Sequence, residues 1–414
     1  MIKNNWLDKL FETVIVLIAI SLFFPHIISS ILTIVLIALW ILSGKSKNIL
    51  LGLRNRYVYL FISIYILSAI SLIYSNNLSE GLFTLEKMLS IIIFPIVTVN
   101  NMTAKLLRRT VLGFAISCFI ISLACLINAG YRNYEYNSLN SIVLDYYGVD
   151  MSNSFIGISH VYMGMYVSFS VIIFTYFFFN NYNYNPSQIF IFISTIVFLL
   201  FFLILLGGKM SIIGLLFISI IAGINYMFKY KNWIIAVLLI ILPISIFYVG
   251  ISHFQITKNR FYNLVDQTNY KAGDNQWNSI ASRFSAMKCV IEVVKEHPVI
   301  GAGVGDGQDD LDSCYEKYRY YTMKGMNPHN QYIQFLLETG IIGMILFILC
   351  LIYPLYKSYF QGNQLYVLFI LLFSFCCLTE SMLETNKGIV FYSFFNSLFS
   401  FHFLKTSDNK QFNE

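Results

Sequence analysis

Between Gln188 and Leu206 the chain reads QIFIFISTIVFLLFFLILL, a stretch without a single charged side chain. At about 1.5 Å of rise per residue, it is close to the about 30 Å hydrocarbon thickness of a bilayer. Its flanks frame it. NNYNYNPS at 180–187 is a short interhelical loop, and LLGGKMSIIG at 205–214 turns directly into another apolar run.

The same pattern recurs along the chain near 10–24, 27–43, 57–74, 82–98, 107–128, 156–180, 210–228, 232–252, 331–357, 364–379 and 387–404. With 57% hydrophobic and 12% charged residues, a water-soluble fold would leave too much apolar surface uncovered. The expected class is an all-α polytopic membrane protein with about twelve transmembrane helices. The first two must turn within FFPHIISS, and one long bent helix is the alternative.

Basic residues set the orientation. Lys3, Lys9, Lys45, Lys47, Arg54, Arg56, Lys105, Arg108, Arg109, Lys229, Lys231, Lys357, Lys405 and Lys410 all fall on one side of a twelve-helix count. By the positive-inside rule that side is cytoplasmic and holds both termini. The N-terminal apolar run lacks a small-residue cleavage site and reads as a retained helix. The opposite side carries two larger loops, about 129–155 and about 253–330. Three parts follow: helices 1–9 over 1–252, a large outer loop over 253–330, and helices 10–12 with a tail over 331–414. No basic stripe suggests nucleic acid. Membrane lipids are the expected surroundings. Of seven cysteines, five lie in spanning segments, while Cys289 and Cys314 share the large loop, where an oxidising compartment would allow pairing.

The polar anomalies cluster on the outer side. In SIASRFSAMKCVIEVVKEHP, Ala281, Phe284, Met287, Ile291 and Val294 share one helical face, and Pro298 ends the helix. Gly-rich VIGAGVGDGQDDLD follows; the 253–330 loop is expected to cap a cavity at the outer boundary, with a free-standing folded domain as the alternative. NPHNQYIQFLLETGIIG (327–343) then opens an apolar run. Asn327 reads as the N-cap and Pro328 as a first-turn residue, which puts His329 in the first turn. There the helix dipole disfavours a protonated imidazole. Asn330, Gln334 and Glu338 form a polar stripe going into the bilayer, where such groups face protein or a water-filled cavity. Hydrogen bonding to a neighbouring helix is the structural alternative. Lys209 reads as a snorkelling end residue or a fixed cation at a cavity mouth, with Gly207 and Gly208 permitting close approach. Arg283 alone reads as solvated. His160, near the outer end of the sixth helix, suits cavity lining or simple packing. The acidic run Asp306, Asp309, Asp310 and Asp312 matches no calcium-loop spacing. Glu380 and Glu384 sit at the outer junction of the last two helices, placed to pair with basic groups, with Lys387 close by.

Taken together, ASRFSAMKCVIEVVKEHPVIGAGVGD followed by NPHNQYIQFLLETGIIG resembles the signature region of the O-antigen ligase/polymerase superfamily of bacterial membrane glycosyltransferases. The resemblance covers about 230–345 in detail, and SHVYMGMYV at 159–167 is similar to a sixth-helix segment of some members. It implies a GT-C-like helical fold in the bacterial inner membrane, with a periplasmic active site. Its chemistry would be transfer of a glycan from undecaprenyl diphosphate to a sugar hydroxyl of lipid A-core, in lipopolysaccharide biosynthesis. The family's essential histidine falls on His329 and its outer-loop arginine on Arg283. A further arginine falls on Lys209, which keeps the charge but not the bidentate fork, though lysine also binds phosphate. The resemblance implies work without a metal, and two cations toward the diphosphate would make one unnecessary, so no cofactor or metal is expected.

The residue types agree with that chemistry. A departing diphosphate calls for cations, and a hydroxyl nucleophile calls for a base such as histidine. A polysaccharide polymerase shares the donor chemistry, as does a protein O-oligosaccharyltransferase. Twelve helices would also suit a transporter or flippase, against which the polar groups gather on one face and no paired broken helices are evident in two halves.

Overall fold

The computed structural model describes residues 5–49, 55–136, 151–180, 184–231, 233–253 and 279–411. Residues 137–150 of the first outer loop and 254–278 of the second lie outside the described residues. The elements are α1 (Asn5–Ser21), α2 (His26–Leu42), α3 (Arg56–Ser71), α4 (Leu78–Met88), α5 (Ser90–Thr98), α6 (Ala104–Tyr136), α7 (Met151–Ile156) and α8 (His160–Phe179). Then come α9 (Pro186–Leu206), α10 (Lys209–Tyr230), α11 (Trp233–His253), α12 (Ser279–Glu296), α13 (Gly307–Lys317), α14 (Gln331–Phe360), α15 (Gln364–Cys376) and α16 (Asn386–Gln411). There is no strand among the described residues. Every apolar window falls on a helix, or on the α4–α5 pair. Among the described residues, six helical stretches are long and apolar enough to cross a membrane, and four apolar helices are shorter, so about twelve crossings is not established by length. The chain is a multi-pass membrane protein.

The helix ends sort onto two sides. On one, Lys45 pairs with Asp8 and Arg109 with Glu12, gathering the starts of α1 and α6 with the end of α2. On the other, Lys387 at the head of α16 donates to the carbonyls of Leu22 (2.9 Å) and Phe24. Those carbonyls lie just past the C-terminal end of α1, where helix-end carbonyls have no intrahelical donor. The α1–α2 hairpin is real: two helices joined at Pro25, not one bent helix.

Between these sides the core is aromatic. Phe114 of α6 meets Phe23 at 5.1 Å and Phe395 at 5.0 Å, and Phe169 of α8 meets Phe369 of α15 at 5.2 Å. Lipid tails are as apolar as these rings, so close packing and buried hydrogen bonds hold the bundle together. Tyr366 supplies one such bond, donating across to Asn396 at 2.7 Å.

The main departure from expectation is α14, which is not one spanning helix. Gly340 (φ 66°, ψ −163°) breaks it into a short arm, 331–339, and a long arm, 341–360. Phe335 and Tyr332 on the short arm reach Phe347 on the long arm, with ring centroids 4.9 and 5.4 Å apart. On a straight helix those pairs would stand about 18 and about 22 Å apart. The short arm therefore folds back on the long one. Only glycine adopts that backbone freely. The polar stripe of Asn330, Gln334 and Glu338 consequently lies on a folded-back arm rather than on a continuous spanning helix.

The groups freed at the break bond to the Gly-rich turn after α12. Ile341 and Ile342 donate to the Pro298 and Val299 carbonyls (3.0 and 3.4 Å), while Ala302 and Gly303 donate to the Leu337 and Glu338 carbonyls (both 2.8 Å). The same turn docks on the α3–α4 connection, where Asp306 accepts from the backbone N–H groups of Asn76 and Asn77. A disulfide joins Cys289 of α12 to Cys314 of α13. The buried face of α12 is Ala286, Cys289, Val290 and Val293. Phe284, Met287 and Ile291, from the face read in the sequence, point outward.

Candidate active site

The folded-back arm carries His329 at its head. The N-cap is Asn330, not Asn327: its Oδ1 accepts from the N–H groups of Tyr332 (2.9 Å) and Ile333 (3.1 Å). Asn327 instead accepts from the His329 N–H (3.0 Å), an Asx turn that leaves Pro328 and His329 outside the helix. His329 sits at φ 51°, a left-handed conformation that L-residues rarely hold. Its Nδ1 lies 3.2 and 3.3 Å from the two carboxylate oxygens of Glu380, with the side chains 31% and 15% exposed. A carboxylate there accepts a proton held on Nδ1 and leaves the Nε2 lone pair free.

Arg283, early in α12, comes to the same place from a different direction. Its Nη2 donates to the Thr379 carbonyl (3.3 Å), one residue before Glu380, and its buried Nε has no hydrogen-bond partner. Burial pulls the guanidinium's proton affinity down, and the Glu380 carboxylate opposes that shift. Glu380 thus bonds the imidazole directly and acts on the guanidinium electrostatically. The sequence reading gave it only a general pairing role; the outer position of TES was the available signal. Tyr162 of α8 also lies within electrostatic reach of Glu380 and beside Thr385.

Lys209 and His160 form a neighbouring pair of helix starts. Gly207 (φ 63°) ends α9 in a left-handed cap, and Lys209 opens α10. A methyl group on the intervening Gly208 would stand 3.5 Å from the His160 carbonyl oxygen, so α8 and α10 begin side by side. The polar stripe points elsewhere. Asn330 is occupied by its cap and by a bond to the Leu378 carbonyl (2.9 Å). Gln334 and Glu338 are buried and bonded to each other (2.6 Å).

The acidic run is mostly engaged in holding the loop. Asp306 and Asp309 bond Asn76 and Asn77, and Asp312 accepts from Gln308 Nε2 and the Gly325 N–H. Beside it, Tyr74, Glu296, His297 and Asp310 help line a cleft of about 760 Å³.

Residues 194–348 match the family model described as O-antigen ligase. That match supports the O-antigen ligase superfamily for this segment of the chain. The matched segment contains Lys209, Arg283, the glycine turn, His329 and the break at Gly340, whereas His160 and Glu380 lie outside it. A Haemophilus influenzae protein, itself uncharacterised, is 28% identical over 259 residues, covering 56% of this chain. The match spans 62% of that relative's length, less than two thirds. Within the matched segment, His329 bonds Glu380 and Arg283 bonds the carbonyl of the preceding Thr379.

Proposed function

We propose that the protein is a membrane glycosyltransferase of the O-antigen ligase type. It would move a glycan from undecaprenyl diphosphate to a sugar hydroxyl of lipid A-core, at the periplasmic face of the inner membrane. The observation that carries this reading is the His329–Glu380 pair with Arg283 beside it. The carboxylate serves the base, and the anion-binding cation is held at the carbonyl of the preceding residue.

In this reading the acceptor hydroxyl gives its proton to His329 Nε2 as its oxygen attacks the anomeric carbon. The bond from that carbon to the diphosphate breaks with inversion, and the electron pair leaves on the diphosphate oxygen. Arg283 and Lys209 face the charge that develops there. Glu380 orients the imidazole and stabilises it once protonated. Two fixed cations supply the stabilisation a metal would otherwise give. The disulfide on this side of the bundle accords with an oxidising compartment, and the basic opposite side with the cytoplasm.

The test is reconstitution with undecaprenyl-diphosphate glycan and lipid A-core, scoring attachment to core. Chain lengthening on the lipid carrier would assign a polymerase instead, and movement across the vesicle with no new glycosidic bond would assign a carrier. Full transfer by His329→Gln would remove the base assignment. Unchanged donor affinity in Arg283→Ala and Lys209→Ala would remove the diphosphate assignment.

A further inference from the structure

The outward face of α12 is apolar where a solvated loop helix would be polar. Phe284 is 71% exposed, Met287 46% and Ile291 47%, all on the side opposite the buried Ala286, Cys289, Val290 and Val293. Lys288 and Lys295 share that side; the Lys288 ammonium is drawn back over the Tyr318 ring, 3.5 Å from the centroid, and Lys295 lies in the last turn of the helix. Beyond the end of the helix, Val299 and Ile300 are exposed as well. They adjoin Ile341, Ile342 and Ile345, exposed residues on the long arm of α14.

Helix lengths give the depth. The long arm, 341–360, rises about 30 Å, enough to cross the hydrocarbon alone and bring Gly340 to the outer boundary. Helix α15, over 364–376, rises only about 20 Å, so its outer end stops about 10 Å short of that boundary. Helix α12 is pinned at both levels. Arg283 bonds Thr379, just past the end of α15, and Pro298 and Val299 bond Ile341 and Ile342 beside Gly340. It therefore climbs obliquely through the outer leaflet with Phe284 at its deep end.

We propose that Phe284, Met287 and Ile291 form a lipid-contacting face embedded among the acyl chains of the outer leaflet, so that α12 is an interfacial membrane helix rather than a water-exposed lid. Apolar side chains on one face with lysine at its edge are the pattern of such helices. The surface is continuous with the lipid-facing stripe of α14, which identifies hydrocarbon as the occupant. The inference does not depend on glycosyl transfer.

The test places the photo-crosslinking residue p-benzoylphenylalanine at 284, 287 or 291 of the full chain. The protein is reconstituted in phosphatidylethanolamine–phosphatidylglycerol vesicles with radiolabelled acyl chains. Ile345 serves as the lipid-facing reference. Glu316, on α13 and paired with Lys324, is the aqueous reference. After irradiation, positions 284 and 291 should carry lipid label at about the level of 345, and about tenfold above 316, as expected for a helix face sunk into the acyl region. Label at 345 together with background at 284, 287 and 291 would overturn the proposal. So would a crosslink from these positions to a second copy of the chain in place of lipid. Phe284→Trp gives an independent readout: added fluorescence quenched by brominated acyl chains supports the embedding, and quenching by aqueous acrylamide alone refutes it.

Discussion

Gly340→Ala is the substitution that most directly tests how this site is built. At φ 66°, ψ −163°, a residue with a side chain is strained by about 1–3 kcal/mol before any contact is considered. The added methyl would also stand 2.3 Å from the Val299 carbonyl oxygen and 2.6 Å from the Ile300 nitrogen. Backbone cannot yield as a flexible side chain does, so the 298–303 turn must back away. The four hydrogen bonds between that turn and the two arms of α14 would stretch or break. Losing two of them adds about 1–3 kcal/mol at a net worth of about 0.5–1.5 kcal/mol each. The expected total is about 2–6 kcal/mol. Gly325 is the control: its φ is 76°, yet a methyl group there meets nothing within 4 Å. Gly325→Ala should show backbone strain alone, about 1–2 kcal/mol. Denaturant-unfolding midpoints in one detergent compare the two. If Gly340→Ala lost no more than Gly325→Ala, the role of the docked turn in holding the fold-back would be refuted.

Three further outcomes follow from the geometry. Glu380→Gln should lower kcat by about 10²–10⁴ with donor KM little changed, and Glu380→Asp should recover part of it, because the carboxylate acts through His329. An equal loss in both variants, with KM rising in step, would point to a structural role. Replacing Cys289 and Cys314 by serine releases a loop with a sequence separation of 25 residues, for an expected loss of about 3–4 kcal/mol under denaturant. Burial and the nearby Asp306 raise the proton affinity of Asp310 above its ordinary 3.8. The folded state therefore binds that proton better than the unfolded chain, and stability falls as pH rises from 3.8 through the raised value. Asp310→Asn should be the more stable protein at neutral pH, with the difference vanishing in acid; thermal melts across that range check the sign.

The helices were legible because long uncharged runs in a membrane protein admit few other structures. His329 was legible as a polar residue at the edge of such a run, whereas Arg283, which alone reads as solvated, was singled out only by the resemblance. The fold-back was not read, although a cue was present: from 331 to 360 the run exceeds what a bilayer requires, and Gly340 sits within it. Asn327 and Asn330 are equally good caps, and proline's preference for a first turn favoured the wrong one. The local Asx turn decided between them. The exposed side of α12 could not be deduced from periodicity, because a 3.6-residue repeat marks an apolar face without saying whether protein or lipid covers it. Glu380 lay hidden for a simpler reason. Its partner is 51 residues earlier, and nothing local to TES announces the imidazole.

That separation has a consequence for biogenesis. The ribosome delivers the glycine turn first, then the two arms that clasp it, and only afterwards the segment bearing Glu380. Until α15 has threaded back across the bilayer, the imidazole has no carboxylate beside it. Nascent chains halted before residue 380 should therefore be inserted but lack the His329–Glu380 pair.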